Sequence, residues 1–354
     1  MIERMRGAVD ERAEIDIDEV LHRRADRDAG RRTIGAVLAA LAVTAAVLRI
    51  SDPERVAWIQ TFLVIFGSLL IQALPFVLLG AFAAAAIEVF VPLGTLEKLA
   101  RLPGPLQLPA AGLAGIAFPI CECGSVPVAR RLARKGLMPS AAVTFMLAAP
   151  VVNPVVIAST FFAYRARSAL WTMVAGRFLL GLLVAVAVGW VVGDRSRDQL
   201  LRSRPEDEHH QRHVLQLGRP EPGWRRFFVH LGNDFLYMGR FLLLGAGLAA
   251  IVQTFLPASI IGRVASVPIL DLVVMMGLAF VLSLCSESDA FIGASFVQFG
   301  PAAQLAFLVF GPMVDFKLSA LYLATFRRGF YRTLVIAVAA TTLVGAMWVK
   351  VIAG

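Results

Sequence analysis

Three short segments of this chain set reactive or ionisable side chains inside long apolar stretches. The first is Phe118-Pro119-Ile120-Cys121-Glu122-Cys123-Gly124-Ser125-Val126-Pro127. Two prolines bracket Gly124, which argues against a regular helix through the segment. A broken helix leaves N–H and C=O groups free to hold a solute or ion. An acid far from the end of a membrane span is costly unless it faces a cavity or joins a relay, so Glu122 is the most informative residue. Its bland alternative is a structural ion pair, with Arg130 the nearest partner in sequence. Cys121 and Cys123 flank it, and Cys285 is the third cysteine of the chain. Thiolates suit a soft metal or metalloid, and three of them would make a sulfur site. Equally, a buried cysteine often serves as a small apolar side chain.

The second segment, Leu284-Cys285-Ser286-Glu287-Ser288-Asp289, puts four polar groups in a row within an apolar region. That is not a packing solution. Two close carboxylates in apolar surroundings are suited to exchanging protons. The alternative is a short external loop between two ordinary helices. The third is a pair of segments, Ala149-Pro150-Val151-Val152-Asn153-Pro154 and Gly311-Pro312-Met313-Val314-Asp315-Phe316-Lys317. Each places proline and a polar side chain inside an apolar helix, and Asn153 in one is matched by Asp315 in the other. Lys317 is placed to neutralise Asp315, although two-residue spacing does not put them on one helical face.

These segments need a scaffold, and the composition says which kind. The chain has 354 residues, 58% of them hydrophobic and only 17% charged. Its mean hydropathy is +0.73. Soluble domains carry about a quarter charged residues, and a span needs roughly 20 apolar residues. Several runs here reach that length, so the bilayer is the solvent and the backbone must be helical where it meets lipid. The pattern predicts helices at 33–50, 57–91, 106–120, 138–164, 168–193, 228–256, 269–284, 301–326 and 330–352.

The organisation that follows is a charged tail at 1–32, a first transmembrane helix and loop at 33–55, a membrane half at 56–193, a polar linker at 194–226 and a second membrane half at 227–354. The halves read as repeats. Leu78-Leu79-Gly80-Ala81 recurs as Leu243-Leu244-Gly245-Ala246, Phe90 and Pro92 match Phe255 and Pro257, Ala117-Phe118 matches Ala279-Phe280, and Cys123 matches Cys285. Phe145, Pro150 and Val152 then match Phe307, Pro312 and Val314, in the same order. Weak internal repeats are common in transporters.

Basic residues set the orientation. Arg23, Arg24, Arg27, Arg31 and Arg32 place the tail in the cytoplasm. Keeping Arg130, Arg131, Arg134 and Lys135 on that side requires 106–137 to dip in and turn back, with a matching hairpin near 269–299 entering from outside. The halves are then inverted, and the hairpin tips near 121–125 and 285–289 can meet at the midplane. A fully spanning nine-helix chain with parallel repeats is the alternative. The fold expected is an all-α polytopic membrane protein of two repeat halves, inverted, with broken or re-entrant hairpins.

The net charge of +9 does not indicate nucleic acid, because the Arg residues flank apolar runs and form no stripe with aromatics. No phosphate-loop motif is present, and no cofactor is expected. His209, His210 and His213 lie in the linker and read as solvated. Trp58, Trp171, Trp190 and Trp348 fall near helix ends, where interfacial aromatics gather. Catalysis would need a nucleophile beside a base, and His230, at a helix start, is a poor candidate for one.

The motifs Cys121-Glu122-Cys123-Gly124-Ser125-Val126-Pro127, Gly136, Ala148-Ala149-Pro150-Val151-Val152-Asn153-Pro154 and Cys285 with its acidic neighbours resemble the YraQ-like predicted permeases, a bacterial family that includes the ArsP organoarsenical efflux permeases. The resemblance covers roughly 57–350. It implies a cytoplasmic-membrane permease and allows efflux of trivalent organoarsenicals, for which thiol affinity is chemically sensible. The expected pathway is Cys121, Glu122, Cys123, Gly124, Ser125 and Pro127 facing Cys285, Ser286, Glu287, Ser288 and Asp289, with Pro150, Asn153, Pro154, Pro312, Asp315 and Lys317 along the sides. The expected partners are lipid, a small or metalloid solute and protons; homo-oligomerisation is compatible with this class. The competing functions are a non-transporting subunit of a larger complex and, further off, a membrane-embedded enzyme.

Overall fold

Prolines and a few polar caps cut the apolar runs into helices. The computed structural model describes residues 57–90, 104–117, 120–193, 223–255 and 270–353. The expected tail, the first helix at 33–50, and most of the linker with its three histidines lie outside the described residues. The chain divides into two compact units, 1–60 and 61–354. Every polar segment singled out above falls in the second.

In chain order the helices are α1 (Ala57–Phe90), α2 (Gly104–Leu113, followed by a 3-10 turn at Ala114–Ile116), α3 (Glu122–Arg134), α4 (Pro139–Val152), α5 (Pro154–Tyr164) and α6 (Leu170–Val192). After the linker come α7 (Gly223–Phe255), α8 (Leu270–Leu282), α9 (Asp289–Ser295), α10 (Pro301–Phe310), α11 (Phe316–Thr325) and α12 (Arg328–Ala353). The second set follows the order of the first: a long helix, two shorter helices separated by a break, a helix broken near its middle, and a closing helix. No strand occurs among the described residues.

Five stretches are long and apolar enough to cross a bilayer: Trp58–Phe90, Pro139–Tyr164, Leu170–Val192, Gly223–Phe255 and Arg328–Ile352. The apolar part of Pro139–Tyr164 is 78% buried, against 39% or less in the other four, so this broken span runs through the middle of the molecule. Ile71, Leu244 and Val351 point outward at 68–79% exposure, an apolar surface that suits lipid and not water. Trp171, Trp190 and Trp348 are exposed, as interfacial anchors must be.

The expected helices at 138–164 and 301–326 are each two helices, and the breaks are local chemistry. Asn153 precedes a proline, which disfavours helical backbone. It is extended at φ −61°, ψ 136°, Pro154 takes the first helical position, and the Asn153 Oδ1 accepts from the Val155 N–H at 2.7 Å. Asp315 does the same for α11: it is extended, and its Oδ1 accepts from the Leu318 N–H at 2.6 Å. The aligned Asn and Asp of the sequence are therefore both helix caps.

The expectation of irregular backbone through 118–127 needs correction. The break lies before Glu122, and α3 then runs regularly through Gly124 and Pro127. Pro127 has no N–H to give the Cys123 carbonyl, so the cost is one bond in the second turn. The second-half helix likewise starts at Gly223, not at 228, inside the expected linker.

Two glycines of the repeated Leu-Leu-Gly-Ala explain how the long helices reach the polar segments. A Cβ on Gly80 would stand 2.3 Å from the Gly124 Cα, and one on Gly245 would stand 2.6 Å from the Lys317 Cα. Each glycine lets α1 or α7 touch the backbone of a segment that carries chemistry. Helices from before and after the linker meet: α3 packs on α11, and α9 packs on α5.

Candidate functional site

The centre forms where these four pieces meet. Glu122 is the first residue of α3 and is 1% exposed. Its Oε1 lies 2.8 Å from Lys317 Nζ. Its Oε2 accepts from the Ser286 hydroxyl at 3.0 Å and is 3.4 Å from the Ser286 N–H. The tips at 121–125 and 285–289 thus meet, through a carboxylate from the first half and a hydroxyl from the second. Glu122 is not paired to Arg130; its partner is 195 positions away, and no local pattern indicates it.

Lys317 also sees Asp315, at the longer distance of 3.7 Å. Helical spacing argues against that contact, but Asp315 is extended backbone ahead of α11, so its carboxylate can turn back toward the second residue of the helix. Ser283, between α8 and the Cys285 segment, adopts φ +47°, the one non-glycine positive φ among the described residues. Its hydroxyl donates to the Phe280 carbonyl at 3.0 Å and accepts from the Phe316 N–H at 3.1 Å. The strained residue is thus what ties the second hairpin to the start of α11.

Asp289 forms the second charged element. It is 3% exposed and receives both arms of Arg177, at 2.8 and 2.7 Å. Arg177 also donates to Thr160 Oγ1 at 2.9 Å and to the Ser286 carbonyl at 3.1 Å. A bidentate Arg–carboxylate pair fixes direction as well as charge. Through Ser286 the two charged elements are continuous: Lys317, Glu122, Ser286, Arg177, Asp289. Arg177 is absent from the sequence-based site, yet its signal is there. It is the single charged residue in the 23 residues of α6, and a lone ionisable group mid-span defaults to function.

Glu122, Cys285 and Glu287 bring their ligand atoms within 4.8 Å of one another. This group offers one sulfur and two carboxylate oxygens, a donor set for a borderline or soft cation. Cys121 and Cys123 are buried and free but do not belong to it. Ser125 donates to the Glu122 carbonyl at 2.9 Å and Ser288 to the Cys285 carbonyl at 3.1 Å, so both hydroxyls serve the backbone. Gly124, Pro127, Pro150 and Pro312 are buried, whereas Pro154 starts α5 on its exposed side.

The two ends of the molecule are closed differently. At one, Arg131 bridges Glu88 of α1 at 3.1 Å and Asp234 of α7 at 3.0 Å, and Lys135 donates to the Glu88 carbonyl at 2.8 Å. Glu88, in the last turn of α1, is part of this bridge. At the other end the Tyr164 hydroxyl donates to Gln304 Oε1 at 2.9 Å.

Among the described residues the molecule is helical and multi-span, with a buried charged centre at the breaks of its helices, an arrangement that suits a membrane permease. The comparisons agree. Residues 58–351 match the model of a family described as predicted permease. UPF0718 protein YcgR of Bacillus subtilis is 38% identical over 287 residues, 81% of this chain and 96% of that protein. A Streptococcus mutans protein, named as a candidate subunit of a two-component membrane permease complex, is 34% identical over 261 residues, 72% of this chain and 83% of its own length. No solved structure matches. The chain belongs to this predicted-permease family.

Proposed function

We propose that this permease moves a small solute through the centre formed by Glu122, Lys317, Ser286, Glu287, Asp289 and Arg177. One observation carries the reading: Glu122, 1% exposed, is held by Lys317 and Ser286 from the other half of the chain. Taking two charges out of water costs several kcal/mol per ion, and well-packed apolar residues hold a bundle together as well or better. A charged cluster kept at that cost between two broken helices is a binding and exchange site. The two sets of helices are a duplication in opposite orientation, supported by the matched order of elements, the paired caps Asn153 and Asp315, and the paired glycines Gly80 and Gly245.

The transported solute is a soft metalloid or a small ion of similar affinity, with trivalent organoarsenicals leaving the cell as the first candidate. The supporting chemistry is the Cys285 sulfur set among the Glu122 and Glu287 carboxylates. Carboxylates that alternate between a proton and the cargo would couple transport to the proton gradient. The test is flux in proteoliposomes with trivalent methylarsenic and an imposed proton gradient. Wild type should transport, Cys285→Ser should lose the metalloid specifically, and Glu122→Gln should lose coupling or transport altogether. Normal flux in folded Glu122→Gln removes the centre from the mechanism.

A second reading has one observation behind it, the Streptococcus mutans relative named as a subunit of a two-component permease complex. On that reading the chain needs a partner protein to transport. Purified chain alone would then be silent, and flux would return on adding the partner.

A further inference from the structure

We propose that Tyr164 and Gln304 form a gate between an open vestibule and the buried centre. The inference rests on the centre being a transport site, and adds how solute reaches it. The vestibule is a cavity of about 560 Å³ lined by Tyr164, Arg167, Ser168, Gln298, Phe299 and Gln304. Ser168 and Gln298 are exposed at its rim, whereas Tyr164 and Gln304 are buried at its floor.

One hydrogen bond joins Tyr164 and Gln304 across the floor. Gln304 is anchored, because its amide donates to the Phe296 carbonyl at 2.9 Å and the Phe299 carbonyl at 3.1 Å while its Oε1 accepts from Tyr164 at 2.9 Å. The Tyr164 hydroxyl makes that single bond among those the structure shows, so it is the less anchored of the two partners.

What lies beneath the floor makes it a gate and not a plug. The buried face of α5 carries Val156, Thr160 and Tyr164, four residues apart. One turn below Tyr164, Thr160 accepts from Arg177, which holds Asp289 and reaches the Ser286 carbonyl, and Ser286 holds Glu122. Vestibule, gate and centre therefore form one line. Along α5 the step from Thr160, which touches Arg177, to Tyr164 is four residues, about 6 Å at 1.5 Å per residue, so the Tyr164–Gln304 contact stands one turn from the centre.

The chain carries its own reporters, since its three cysteines are all free and all buried at the centre. The experiment uses full-length protein in membrane vesicles of both orientations and a charged, membrane-impermeant maleimide. Ser168→Cys, at the vestibule rim, identifies the vestibule face. Tyr164→Phe keeps the ring and removes the hydrogen bond, and Gln304→Leu removes it from the other partner. Both should raise labelling of the native cysteines by roughly five- to tenfold, the weight of one neutral hydrogen bond, from the vestibule face only. Unchanged labelling in both variants, with gel filtration showing folded protein, overturns the gate. Faster labelling from both faces, or from the opposite face, overturns it as well. Labelling does not depend on flux, so a failed gate and a failed transport site give separate results.

Discussion

Removing the ammonium of Lys317 should damage this protein more than removing either acid beside it. Lys317 Nζ is 2.8 Å from Glu122 and 3.7 Å from Asp315, and all three are at most 3% exposed. At 2.8 Å and an effective dielectric of 20, the gross attraction between Glu122 and Lys317 is about 6 kcal/mol. Desolvation offsets most of it, but breaking a buried pair by deleting one partner typically costs about 3–5 kcal/mol, because the remaining charge is stranded. Lys317→Met strands two carboxylates and should fall in that range, a drop in melting temperature on the order of 10 °C. Glu122→Gln leaves Lys317 with Asp315 and leaves Ser286 an amide oxygen to donate to, so it should cost only about 1–2 kcal/mol. The double variant Glu122→Gln/Lys317→Met should recover much of the loss seen in Lys317→Met alone. The assay is thermal unfolding in detergent, followed by intrinsic fluorescence and by loss of the monodisperse peak. If Glu122→Gln is as damaging as Lys317→Met, or if the double variant is no better than Lys317→Met, the central pairing is wrong.

Asn153→Ala should destabilise by about 1 kcal/mol through loss of the α5 cap, and Asn153→Asp should melt lower still, because it keeps a capping oxygen but buries a carboxylate without the lysine that stands beside Asp315. Gly80→Ala and Gly245→Ala should each cost at least about 1–3 kcal/mol, since the new methyl meets backbone, whereas Gly277→Ala, with nothing within 4 Å, should be tolerated; equal yields and melting points for the three would refute the close-approach argument. Arg177→Lys keeps the charge but loses the two-armed grip on Asp289, so flux should fall at least about tenfold; transport at the wild-type rate would show that charge alone suffices there.

Much of this molecule follows from its sequence alone. Apolar runs of spanning length demand helices and a bilayer, because unpaired backbone groups cannot face lipid. Asn153-Pro154 and Pro312–Asp315 carry the signals of their breaks, proline and a capping side chain acting on immediate neighbours, although apolar length alone predicts one continuous helix through each. The two polar tips, at Glu122 and Ser286, are also legible, since ionisable residues stand out against an apolar background. Where the reading failed, it was by weighing a local rule too heavily. Pro127 and Gly124 argue for disrupted helix, but α3 is buried on nearly every side, and packing outweighs one missing backbone bond. Pairing was left to the tertiary structure. Glu122 with Lys317, Arg177 with Asp289, Tyr164 with Gln304 and Arg131 with Glu88 and Asp234 join residues 43 to 195 positions apart. Periodicity reports which face of a helix is apolar, not which helix it meets. Which charges share a site is decided when α3 packs on α11 and α9 on α5, while the close approaches at Gly80 and Gly245 seat α1 against α3 and α7 against α11.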